Sequence, residues 1–95
     1  MTKKYLKNNV GTWIVNEHNE KIVVREEIQE IYNYVNSCVI FMKRLSDKIN
    51  DYCEFYNYFN DGYARILEAQ QSMEISKDIL IFLKKRLHMA RKGMF

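Results

Sequence analysis

The chain contains no proline and only three glycines in 95 residues, so it has almost none of the residues that usually break helices. It also lacks a long apolar run. The longest, Cys38 to Met42 and Ile79 to Leu83, fall far short of the roughly 20 residues needed to cross a bilayer, and no membrane span is expected. Lys3, Lys4 and Lys7 lead into Asn8, Asn9 and Gly11 with no apolar leader segment, which sets a cytoplasmic location as the expectation. There is no C-x-x-C, H-E-x-x-H, phosphate-loop or G-x-S-x-G pattern, and none of the chemistry those spacings support is expected. His18 and His88 are far apart and form no metal-binding spacing. The expectation is a protein that is not an enzyme, with no cofactor, no metal and no catalytic set. Two cysteines, Cys38 and Cys53, fall on one predicted helix. Their separation is about 22 Å along the axis, whereas a disulfide needs Cα atoms within about 7 Å, so both are expected as thiols.

What the chain does have is apolar periodicity. At 47% hydrophobic and 28% charged it is too apolar for disorder and small enough for one domain. Val24, Ile28, Ile31, Val35, Cys38, Met42, Leu45, Ile49, Tyr52, Tyr56 and Phe59 recur at steps of three and four, the spacing of one helix face. After Asn60-Asp61-Gly62, a strong turn signal, the spacing resumes through Ile66, Ala69, Met73, Ser76, Leu80, Leu83, Leu87, Ala90 and Met94. The pattern predicts an all-α fold: helix 24–59, turn 60–62 and helix 63–93, forming a long antiparallel helical hairpin over 24–95 with arms of about 50 Å. Ahead of it, residues 1–23 read as an extended arm or a small β-hairpin, because Thr12-Trp13-Ile14-Val15 and Lys21-Ile22-Val23-Val24 flank a polar turn. A lone hairpin is marginal in water, so Trp13, Ile14, Ile22 and Val23 would need to pack on other elements.

Each arm carries more apolar surface than one seam covers: Tyr32, Tyr34, Val39, Phe41, Cys53 and Phe55 on the first, Ile75, Ile79, Phe82 and Met89 on the second. Two solutions follow. Either the hairpin forms a homodimer, a four-helix bundle, or one arm breaks near Ser46-Asp47 or Gln71-Ser72 and the pieces fold into a three-helix monomer; the dimer is the expectation.

Two surfaces are candidates for function. Tyr52, Phe55, Tyr56, Tyr58, Phe59 and Tyr63 crowd around the turn, with Asp51, Glu54 and Asp61 as their neighbours in sequence. Those charges have the wrong sign for a phosphate backbone, so the rings read as packing plus a protein-binding tip, with Tyr58 the favoured anchor. Lys84, Lys85, Arg86, Arg91 and Lys92 form a basic end on the second helix. In the hairpin they would lie beside Glu26, Glu27 and Glu30, which makes charge matching the plain reading and nucleic-acid binding the alternative. Arg25, Arg44 and Lys48 bear a loose resemblance to the cation layout of helical chorismate mutases, but the second half lacks that family's short helices. The chain is also similar in length to the small secreted helical-hairpin proteins of the WXG type, yet its turn has no Trp-x-Gly. No family is assigned. The functional expectation is a protein-interaction module, an adaptor, chaperone or inhibitor with an unidentified protein partner. Its composition resembles that of phage and plasmid accessory proteins of low-GC bacteria. A nucleic-acid-binding dimer is the alternative.

Overall fold

The structure, a computed structural model, describes residues 12–46 and 52–95. Two short strands, β1 (Trp13–Val15) and β2 (Lys21–Val23), are followed by three helices: α1 (Glu26–Ser46), α2 (Tyr52–Ser72) and α3 (Lys77–Arg91). Helices hold 72% of the described residues.

The expected single arm over 24–59 is not what forms. Phe41 stacks on Tyr58 with ring centroids 5.0 Å apart, and a Cβ on Gly62 would stand 3.5 Å from the Cys38 Cβ. These pairs count up along one helix and down along the other, so α1 and α2 are antiparallel. The part of the expected arm at 47–51, including Ile49 and Lys48, lies outside the described residues.

Nor does the chain turn at Asn60-Asp61-Gly62, which lie inside α2. Turn propensity is a local preference, and tertiary packing overrides it here. Asn60 and Asp61 point outward, where their helix penalty is small, while Gly62 is buried where α2 passes close to both neighbours. The glycine serves a close approach rather than a left-handed cap.

The second break falls just past Ser72, one of the two places where a three-helix arrangement required it. Ser76, expected on the apolar stripe, is instead the N-cap of α3. It sits in extended backbone, and the Ile79 amide donates to its Oγ at 3.3 Å, satisfying one of the orphan donors of the first turn. The helix ends on Gly93 at φ 81°. There the amides of Gly93 and Met94 donate to the carbonyls of Ala90 and Met89 at 3.0 and 2.9 Å, a Schellman arrangement in which only glycine is at ease.

Tyr32 stacks on Phe82 at 6.3 Å, and Val39 and Met89 line one cleft lower down, so α1 and α3 run parallel with α2 antiparallel to both. The stripes converge in one core: Ile28, Ile31, Val35, Cys38 and Met42 from α1, Phe55, Phe59, Ile66 and Ala69 from α2, and Ile79, Leu80, Phe82, Leu83, Leu87 and Ala90 from α3. Much of the surplus apolar surface that called for a dimer is therefore covered within one chain. Leu45 is half-buried.

Residues 13–23 form a β-hairpin rather than an extended arm; residues 1–11 of the expected arm lie outside the described residues. Trp13 faces Val23, Ile14 faces Ile22 and Val15 faces Lys21. Its turn is held by Asn16, whose Oδ1 accepts from the amides of His18 and Glu20 at 2.9 and 3.0 Å. Asn19 takes the positive φ of 62° that asparagine tolerates. Ile14 is fully buried in the core. The carbonyls of β1 that point away from β2 accept from α1: Gln29 Nε2 donates to Trp13 O at 2.9 Å and the Tyr32 hydroxyl to Val15 O at 3.5 Å. That docking supplies what a free hairpin lacks.

Candidate binding surface

The reversal between α1 and α2 brings three helix termini to one end of the bundle: the last turn of α1, the first of α2 and the last of α3. Tyr52 and Tyr56 stand there on adjacent turns of α2, stacked at 6.2 Å and exposed by 55% and 41%. Leu45 and Ser46 of α1 and Arg91, Lys92 and Gly93 of α3 line the same hollow. The Arg91 guanidinium lies over Tyr56 at 5.7 Å and over Phe59 at 5.1 Å, and Arg44 lies over Phe41 at 5.6 Å. Cation–π geometry of this kind fixes a charged head beside an aromatic face while leaving it partly wet.

The six rings grouped in sequence separate by role. Phe55 and Phe59 are buried core residues. Tyr63 is half-buried, stacked on Phe59 at 5.9 Å. Tyr58 is half-buried against Phe41, so the residue favoured as a free anchor is engaged in the α1–α2 seam. The reason is phase: α2 buries Phe55, Phe59, Gly62, Ile66 and Ala69, which turns Tyr52 and Tyr56 to solvent and Tyr58 toward α1. No tip exists at residues 60–62. The exposed rings lie in the first turns of α2, before that point.

The five cations disperse in a similar way. Arg91 and Lys92 reach the ring-bearing end. Lys84 lies beside α2, its Nζ 3.3 Å from Gln70 Oε1 and 6.0 Å from the Tyr63 ring centroid. Lys85 pairs with Glu17 of the hairpin turn at 3.1 Å, and Arg86 lies over Phe82 at 5.9 Å. None meets Glu26, Glu27 or Glu30 as the hairpin reading required, because α3 runs parallel to α1 and its basic end lies level with Lys43 and Arg44. The cations sequence reasoning had set apart from the rings are the ones the fold delivers to them. Arg91 and Lys92 thereby add positive charge beside rings whose sequence neighbours are acidic.

Arg25 donates to the Glu74 carbonyl at the far end of the bundle, so it and Arg44 form no common site. His88 is exposed and meets Phe59 and Tyr63 edge-on at 5.5 and 5.7 Å. Cys38 is buried, Cys53 is exposed and neither forms a disulfide. Burial pushes the Cys38 thiol up from its ordinary value, and the Asp61 carboxylate adds to the shift, which makes this thiol a poor nucleophile. Tyr34 is raised by desolvation first and by Cys38 and Asp61 after it, with Arg65 opposing. Among the described residues no three His, Cys, Asp or Glu side chains gather to hold a metal ion, and no helix is long and apolar enough to cross a membrane. Comparison with known proteins finds no match to the chain among family models, curated sequences or solved structures.

Proposed function

We propose that the chain is a non-enzymatic protein-interaction module that presents Tyr52 and Tyr56, framed by Arg44, Arg91 and Lys92, to an acidic surface of a partner protein. One observation carries the reading: two large rings stand exposed and stacked on each other where the core does not use them, with the Arg91 guanidinium over one of them. Tyr and Arg dominate interface anchors because they bring large contact area at low conformational cost. The reading needs no second copy of the chain, and the homodimer expected from the sequence would have Tyr34, Phe41 and Leu67 as the exposed apolar surface left on the helices to bury. A cytoplasmic accessory role, such as phage- and plasmid-borne small proteins play, belongs to the proposal on composition alone.

Photo-crosslinking in the source cell tests it. A benzoylphenylalanine at position 52 is expected to give a discrete protein adduct that Tyr56→Ala abolishes, while the same group at exposed Gln71 on the far end of α2 gives none. Adducts of equal yield at both positions, or none at 52, would contradict it. One observation favours a second reading, a single-stranded nucleic-acid partner. Arg91 and Arg44 interleave with Tyr56, Phe59 and Phe41 in space as cations and rings do in stacking grooves. Its mark is oligonucleotide binding that falls steeply with salt and is lost when Arg91 and Lys92 become Gln.

A further inference from the structure

The β-hairpin covers only part of the face that α1 and α3 share. At the covered end the hairpin turn, Tyr32 and Phe82 line one cleft, and further along Val39, Ile40 and Lys43 of α1 face Arg86 and Met89 of α3 in another. Arg86 and Met89 belong to both clefts, so the groove continues past the hairpin, and nothing among the described residues is laid in it. Its far end is shaped by the Schellman turn at Gly93, which brings Met94 and Phe95 back toward Val39 and Ile40. Ile40, Met94 and Phe95 are 52%, 57% and 47% exposed.

One further observation says what fits. The charged residues lining the open stretch are Lys43 and Arg86, with no acidic side chain among the lining residues. We propose that this groove receives a short amphipathic helix of a partner protein, its apolar stripe on Val39, Ile40 and Met89 and its flanking Asp or Glu side chains on Lys43 and Arg86. Along α3 the open stretch runs from Arg86 to the turn at Gly93, about 10 Å or two turns of helix. A helix laid there extends the layer the hairpin begins and completes a fourth position around the bundle, the helix-in-groove mode of recognition. Met89 and Met94 are suited to it, since unbranched thioether side chains conform to varied apolar shapes. This surface differs from the Tyr52 and Tyr56 end and stands whether or not that end binds.

The test uses the whole chain labelled with nitrogen-15 and a model peptide of about 14 residues, helical, with Leu on one stripe and Glu on its flanks. Saturable shifts are expected at Val39, Ile40, Met89 and Met94. Replacing the peptide's Glu with Lys is expected to weaken binding at least tenfold, as is Ile40→Glu in the protein, an exposed change whose retained helicity circular dichroism checks. Tyr56→Ala is expected to leave the affinity unchanged, which separates this surface from the ring-bearing end. Equal binding of the acidic and basic peptides, shifts confined to other residues, or no shift at millimolar peptide would overturn the proposal. So would binding only to phosphatidylglycerol vesicles, or a self-association that Ile40→Glu abolishes, which would make the occupant a membrane or a second copy.

Discussion

Gly62 of α2 lies directly against Leu87 of α3: a Cβ built on the glycine would stand 3.0 Å from Leu87 Cδ2 and 3.1 Å from Cδ1. Leu87 is fully buried and has little room to move. Gly62→Ala gains about 1 kcal/mol of helix propensity but overpacks a filled core, which costs about 1–3 kcal/mol. The net result expected in urea denaturation is a loss of about 1 kcal/mol, and a more stable variant would show that α2 does not approach α3 as described. Asn60→Ala, on the outer face of the same helix, is expected to gain a few tenths of a kcal/mol.

Core depth sets the second expectation. Leu83→Ala removes a fully buried side chain at the meeting of the three helices and is expected to cost about 2–5 kcal/mol. Leu45→Ala, half-buried near the ring-bearing end, is expected to cost less than half as much. Equal losses at the two sites would mean that the core extends to Leu45 as the long-arm reading required.

Assembly follows from the same core. With the stripes of all three helices buried within one chain, sedimentation equilibrium is expected to give 11.5 kDa across the micromolar range. A mass near twice that value would return the surplus apolar surface to a dimer interface.

The thiols give a pH-dependent expectation. Cys53 is exposed and Cys38 buried, so a thiol reagent is expected to label Cys53 rapidly and Cys38 only through opening of the fold. Cys38 in the folded state holds its proton above the ordinary thiol value of 9.0, and below that value both states are protonated and stability is unaffected. As pH rises past it the unfolded chain ionises first, so stability falls with rising pH until the folded thiol ionises too. Cys38→Ala is expected to flatten the alkaline loss, apart from the share due to Tyr34, which is shifted in the same direction. An unchanged alkaline slope in that variant would remove Cys38 from the explanation.

The helix faces were legible in the sequence because periodicity reports burial directly. Ile28, Ile31, Val35, Cys38 and Met42 are the buried face of α1, and Ile66, Ala69, Leu80, Leu83, Leu87 and Ala90 are buried as their spacing implies. The hairpin around Asn16 to Glu20 was visible as two β-rich runs about a polar turn. Direction was not legible. A three-four stripe passes through a chain reversal without a mark when no proline or glycine stands there, and the chain has neither between Ser46 and Tyr52. Gly62, in contrast, looked like punctuation because its packing role depends on Leu87, 25 positions away. The charges that surround the rings were hidden for the same reason: Asp51, Glu54 and Asp61 are their sequence neighbours, while Arg91, which reaches Tyr56 and Phe59 in space, comes from another helix. Ile40 and Phe95 carried no signal beyond being apolar, Met94 continued the stripe of the second helix yet is exposed, and only the positions of α1 and α3 make a groove of them.

The meeting of Tyr56 with Arg91 is the contact on which both the fold and the ring-bearing surface depend, and nuclear Overhauser effects measure it directly. The Tyr56 and Phe59 ring protons are expected to show contacts to the Arg91 side chain, with Phe41 to Tyr58 contacts in the same spectrum. Contacts from Arg91 to Glu30 and Ile31 instead, as a long hairpin turning at Asp61 would give, would contradict the account.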